Sequence, residues 1–182
     1  MTELAIDLRR ATAADAESLS AFAAEVFPLG GRPETDPIHV EAYVAAELNP
    51  GRFLNLVGDP RAVVLIAEGN RTIVGYAVLL HHAGHPQIPA RYPAELRKIY
   101  VHPDYHGQGV ADALMRELLS STRPNTDVIW LSVFSENARA IGYYTRWGFR
   151  FAGNQVFMVG ADRQKDFLMR RQGGKSLSKG LQ

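Results

Sequence analysis

The chain has 182 residues, a mass of 20.1 kDa and a formal net charge of +1, with 46% hydrophobic and 21% charged residues. That length and composition fit one globular domain whose core needs no covalent staple, and they exclude a disordered chain. The absence of Cys excludes disulfides, thiolate metal sites, iron–sulfur clusters and a catalytic thiol, and it fits a reducing compartment.

No segment reads as an address or anchor. Met1 to Arg10 lacks an apolar leader stretch, and Ile73 to Leu80, the longest apolar run, falls far short of the roughly 20 residues a bilayer span needs. A cytoplasmic protein with no membrane or nucleic-acid partner is the expectation.

In chain order, Ala5 to Ala11 reads as a strand, and Thr12 with Asp15 approximates a capping box. Leu19, Phe22, Ala23, Val26 and Phe27 then recur at helical spacing. Pro28 to Pro37 is a loop with three Pro and two Gly. Val40, Tyr43, Val44 and Leu48 mark a second helix, with Asn49-Pro50-Gly51 expected to stop it. Ala62 to Ala67 and Thr72 to Leu80 are β-branched strands joined by the hairpin signal Glu68-Gly69-Asn70-Arg71. A loop from His81 to Pro93 leads to a strand over Glu95 to Val101. Gly107 to Gly109 opens a helix through Val110, Leu114, Met115 and Leu118. Asp127 to Phe134 is a strand, and Ser135 is the expected N-cap of a helix from Glu136 to Trp147, closed by Gly148. Phe149 to Val159 and Asp166 to Arg170 read as closing strands, and Gly173 to Gln182 as a flexible tail. The pattern is α/β around one central mixed sheet, with residues 1–172 as a single domain and 173–182 as the tail.

Charge is unevenly placed. Residues 13–50 carry seven acids and one base, a balance of −6, against +7 for the rest. Solvated helix faces explain this, and so do two ligands of opposite charge. His81-His82-x-x-His85 sits in a Pro-rich loop with no carboxylate partner, so no metal site is expected.

Two motifs carry chemistry. His106-Gly107-Gln108-Gly109-Val110-Ala111 lies between a strand and a helix, where glycines let backbone N–H groups approach an anion. It is neither a Walker A loop nor a GxGxxG dinucleotide fingerprint. Asn137, Ala140 and Tyr144 share one helical face ahead of Gly148-Phe149.

Together these residues resemble the GNAT superfamily of N-acetyltransferases, most strongly from Glu95 to Phe149. The first motif is similar to the family's Gln/Arg-x-x-Gly-x-Gly/Ala signature, with His106 departing at the first position. The second is similar to its Asn-x-x-Ala-x-x-x-Tyr-x-x-x-Gly-Phe signature. Phe157-Met158-Val159-Gly160, Asp162, Gln164, Asp166 and Leu168-Met169 look like the closing strands of the PaiA-type branch, which acetylates spermidine and spermine.

The resemblance implies a GNAT-like acyl-CoA N-acyltransferase fold. Its sheet would be mixed, mostly antiparallel and splayed at the cofactor cleft, flanked by about four helices. It implies acetyl-CoA as cosubstrate, with Ile99, Tyr100 and Val101 pairing with the pantetheine amides. The turn from His106 through Gly107, Gln108, Gly109, Val110 and Ala111 would hold the pyrophosphate, and Asn137, Ala140 and Tyr144 would border the cofactor. A primary amine is neutral only about once in 2,500 molecules at pH 7, so a base is needed. By the same resemblance Glu95 is that base and Tyr144 the donor to the departing thiolate. The acceptor would be a small, polyamine-like cation met by Phe27, Glu34, Asp36 and Tyr43 on the acidic front segment, and attack would be direct in a ternary complex. A protein or peptide N-acetyltransferase is one alternative. A non-catalytic acyl-CoA sensor is another, against which the presence of both Glu95 and Tyr144 argues. The oligomeric state stays open, a homodimer included.

Overall fold

The computed structural model describes residues 6–173. Residues 1–5 and 174–182, which hold the first residue expected in a strand and nearly all of the expected tail, lie outside the described residues.

The β-branched runs form strands as expected. They are Ile6–Arg10 (β1), Ala62–Gly69 (β2), Thr72–His81 (β3), Pro93–Val101 (β4), Val128–Phe134 (β5), Arg150–Val159 (β6) and Asp162–Gln172 (β7). The hairpin between β2 and β3 turns on Asn70 and Arg71, both at positive φ (52° and 63°), the geometry that matches strand twist. The helices are Ala16–Val26 (α1), Pro37–Glu47 (α2), Pro50–Gly58 (α3), Val110–Ser120 (α4) and Ala138–Arg146 (α5).

Two expectations are corrected. Asn49-Pro50-Gly51 does follow the end of α2 at Glu47, but it also starts an unexpected helix, α3, because Asn49 accepts the Arg52 N–H as N-cap at 3.0 Å and Pro50 fills the first helical position. The chain therefore has five α-helices among the described residues, where about four were expected. Ser135 is not the cap of α5. Asn137 is, accepting the Ala140 N–H at 3.0 Å.

All seven strands form one sheet in the order β1-β2-β3-β4-β5-β7-β6. Every neighbouring pair is antiparallel except β4 with β5. Helices α1 and α3 cover one face, burying Leu19, Phe22, Ala23, Val26 and Phe53 against Val64, Ile66, Tyr76 and Val78. Helix α4 covers the other with Leu114, Met115 and Leu118, and α5 packs there through Ile141, Tyr143 and Tyr144. Each fully buried aliphatic side chain stabilises this arrangement by about 1.5–3 kcal/mol.

The sheet is not closed along its length. β4 pairs with β5 only over Pro93–Glu95, opposite Val128–Trp130, and then the two strands part. Beyond that point β4 keeps its pairing with β3, with Arg97 left out of register by a bulge between Lys98 and Leu96. Half the backbone polar groups from Leu96 to Val101 therefore face away from β3 with no strand partner.

Candidate active site

The parting of β4 and β5 opens a cleft of about 1060 Å³ that runs between the two helical layers. Ile99, Tyr100 and Val101 form its wall on β4. The carbonyl of Val101 accepts a hydrogen bond from His106 Nε2 at 2.8 Å.

At one end lies the start of α4. Gly107 and Gly109 both adopt left-handed backbone (φ 78° and 79°), which a side chain disfavours by roughly 1–2 kcal/mol. Apart from the chain neighbours, no atom of the described residues lies within 4 Å of a Cβ built on either, so backbone conformation and not crowding requires glycine there. The first helical bond is Ala113 N–H to Gly109 O at 2.9 Å. The N–H groups of Val110, Ala111 and Asp112 thus have no acceptor within the helix, and they carry the positive end of its dipole.

The side chains flanking this turn have fixed roles. Arg139 Nη1 donates to His106 Nδ1 at 2.8 Å, so the His106 ring proton sits on Nε2 and both ring nitrogens are used within the protein. His106 therefore positions, while Arg139 brings a cation to the edge of the anion-attracting turn. Arg139 lines the cleft and was not singled out in the sequence, although it stands inside the Asn137-Ala138-Arg139-Ala140 motif. Gln108 does not line the cleft; its side chain donates to the Asp104 carbonyl at 2.7 Å. Tyr143 donates to Ala111 O at 2.8 Å and Trp147 to Asp112 Oδ1 at 3.1 Å, tying α5 to the first turn of α4.

Midway, Ala140 and Tyr144 face the cleft from α5. Burial pushes the Tyr144 phenol above its ordinary value, so it stays protonated. Asn137 spans the opening: its Oδ1 caps α5, and its Nδ2 donates to Gly30 O at 3.2 Å on the loop after α1.

The opposite end is lined by Phe27, Tyr43, Glu95, Arg97, Lys98, Ser132 and Asp166. Phe27 and Tyr43 stack at 4.4 Å between centroids. Tyr43 is pushed up to about 12, chiefly by burial, and Lys98 is pushed down to about 8 by burial and the neighbouring Arg97. Glu95 accepts from Arg97 Nε and Nη2 at 3.0 and 2.7 Å, both at Oε2. Its Oε1 has no donor among the described residues. Glu34 and Asp36 lie outside the cleft: Glu34 is exposed beside Arg32 at 3.6 Å, and Asp36 caps α2 by accepting the Ile38 N–H at 3.0 Å. The loop that carries them is pinned to β7, where Gln164 donates to Thr35 Oγ1 and Thr35 donates to Asp162.

The three His of the 81–85 segment do not converge. His81 is buried at the end of β3, His82 accepts from Arg123 at 2.6 Å, and His85 meets Gln155.

The glycine-opened turn, unpaired strand edge and neutral phenol suit an activated thioester carried on a long, phosphate-bearing arm. The family model described as Acetyltransferase (GNAT) family matches residues 29–149. The chain is 36% identical over 159 residues to the uncharacterized N-acetyltransferase Rv2669 of Mycobacterium tuberculosis, spanning 87% of this chain and 97% of that one. It is 33% identical over 128 residues to the N-alpha-acetyltransferase RimI of the same organism, spanning 69% of this chain and 75% of RimI. Among solved structures, PaiA N-acetyltransferase from Thermoplasma acidophilum in complex with coenzyme A superposes with a TM-score of 0.74 at 20% identity, covering 93% of this chain and 99% of that one. The chain belongs to the GNAT acetyltransferase family.

Proposed function

We propose that the protein transfers an acetyl group from acetyl-CoA to a primary amine of a small, polyamine-like cation. The observation that carries this reading is the parting of β4 from β5 beside the glycine-opened start of α4. The residues present fit the cosubstrate. The free N–H groups of α4 and Arg139 suit its phosphates, and the edge of Ile99–Val101, which has no strand partner and of which only the Val101 carbonyl is engaged, by His106, suits the amides of its arm. Among the described residues no helix is long and apolar enough to cross a membrane.

The acceptor must lose a proton before its nitrogen attacks the thioester carbonyl. Glu95 takes that proton at Oε1, the oxygen Arg97 leaves free. An edge N–H of β4 stabilises the oxyanion that forms. As the carbon–sulfur bond breaks, Tyr144 donates a hydrogen bond to the thiolate. A thiol has a pKa near 8.5 and a phenol near 10, and burial raises Tyr144 further, so full proton transfer from Tyr144 runs uphill. Tyr144 therefore stabilises the leaving group, and solvent supplies the proton. The acidic front segment acts at long range by drawing a cation toward the cleft, since Glu34 and Asp36 do not line it.

A second reading, acetylation of a peptide amine, is favoured by the likeness to RimI. Free-thiol release from acetyl-CoA separates the two. Release with spermidine supports the first, release with peptides alone supports the second, and acyl-CoA binding without release contradicts both.

A further inference from the structure

Among the described residues five acids line the cleft, and they differ in what balances their charge. Glu47 pairs with Arg52, Asp59 with Arg61 and Glu95 with Arg97. Asp112 sits in the first turn of α4 and accepts from the Trp147 indole. Asp166 has no cation beside it among the described residues, although it is only 6% exposed.

Its partners are arranged in one direction. Ser132 donates its hydroxyl proton to Asp166 Oδ2. Gln155 Nε2 donates to Ser132 Oγ at 2.8 Å. Gln155 Oε1 faces His85 Nε2 at 3.1 Å, and His85 Nδ1 accepts the Gln87 backbone N–H at 3.2 Å. With Nδ1 accepting, the ring proton lies on Nε2, so every donor in the chain points toward Asp166. Such a relay polarises along its length and favours negative charge at its end. Burial opposes it and raises the carboxyl's pKa. A desolvated carboxylate, oriented as an anion and lacking a counter-ion, is half of an ion pair.

Its surroundings suit an ammonium. Ser132 lies two residues beyond Trp130, where β4 leaves β5, and Asp166, Tyr43 and Tyr100 line the same cleft. A cleft lined by aromatic rings and a buried carboxylate favours an organic cation. In the reading above Glu95 serves the reacting nitrogen, which leaves the Asp166 carboxylate to serve a different one. Building on the acetyltransferase reading above, we propose that Asp166 docks a second ammonium group of the acceptor, so that the preferred acceptor carries at least two amines. Ser132, Gln155 and His85 are positioning residues for that carboxylate.

Diaminobutane and butylamine share a carbon chain and differ in the second amine. The wild-type protein is expected to show the higher kcat/KM with the diamine. Asp166→Asn keeps the side-chain shape and removes the charge. It is expected to raise the diamine KM about 30-fold or more, the scale of a lost buried charge pair, and to affect butylamine kinetics far less. Ser132→Ala keeps the carboxylate and is expected to raise the diamine KM by a smaller factor. Absence of a wild-type diamine preference, or equal losses for both amines in Asp166→Asn, overturns the proposal. Calorimetric titration of diaminobutane into CoA-saturated protein reads docking without turnover. Tighter binding to wild type than to Asp166→Asn is expected, and equal affinity overturns the proposal whatever the rates show. If no amine is acetylated, the acetyltransferase reading fails, while this titration still decides the role of Asp166.

Discussion

Tyr144 is the side chain whose chemistry is most sharply defined by its surroundings. Burial on α5 keeps its phenol protonated at the cleft, so it can donate throughout the neutral pH range. Tyr144→Phe is expected to lower kcat by roughly one to three orders of magnitude with little change in acetyl-CoA affinity, as steady-state kinetics will show. Unchanged kcat would remove it from the mechanism. Glu95→Gln is expected to flatten the acidic limb of the pH–rate profile, and an unaltered limb would assign the proton to another acceptor. The sequence singles out Tyr144 by its helical motif and Glu95 by its place four residues before Ile99 on one strand, and both line the cleft. Arg139 was hidden among motif residues whose spacing says nothing about its partner, His106, 33 residues away. Asp166 was harder still, because its meaning depends on Ser132, 34 residues distant in the chain, and on having no cation beside it. Glu34 and Asp36 were chosen for charge alone, and local chemistry decided otherwise: Asp36 is a helix cap, and Glu34 stays at the surface.

The elements that hold the site are set by short-range rules, and where those rules compete the sequence is ambiguous. Asn-Pro-Gly reads equally as a stop and as an N-cap followed by Pro at the first helical position, and here it is both: α2 ends at Glu47, and α3 starts at Pro50 and brings Phe53 into the core against Tyr76. The start of α4 was plainer, since two glycines flanking one residue before an apolar helical run leave few backbone solutions. Gly109→Ala is expected to raise the acetyl-CoA KM by about tenfold, the scale of a forced left-handed residue at a binding turn. Gly58→Ala, at the last position of α3, which is not left-handed, has open space for a Cβ and does not line the cleft, is the control and should leave KM unchanged. Before α1, Asp15 accepts from Arg9 at 2.7 and 2.9 Å and from the Thr12 N–H at 2.7 Å, which holds its carboxyl well below the usual range. A depressed carboxyl stabilises the fold above its unfolded pKa of about 3.9, and that stability is lost as pH falls through the folded value. Asp15→Asn should therefore lower Tm at pH 7, with the gap to wild type closing below about pH 4. A constant gap across that range would place the effect elsewhere.

At the scale of the whole molecule, one topological fact governs the rest. β4 and β5 are the only parallel neighbours among the described strands, and they stay paired for three residues before diverging. Alternation and turn signals gave the strands, but no local pattern says that two strands adjacent in a sheet will part. That expectation came only through family resemblance. The divergence leaves an unpaired edge, directs it toward the start of α4, and lets side chains from both helical layers meet over one cleft. The most direct test follows free thiol in purified protein supplied with acetyl-CoA, with and without spermidine. The account predicts amine-dependent thiol release with one acetyl group appearing on the amine for each thiol freed. Thiol release indifferent to any amine, or none with any amine or peptide, would contradict it.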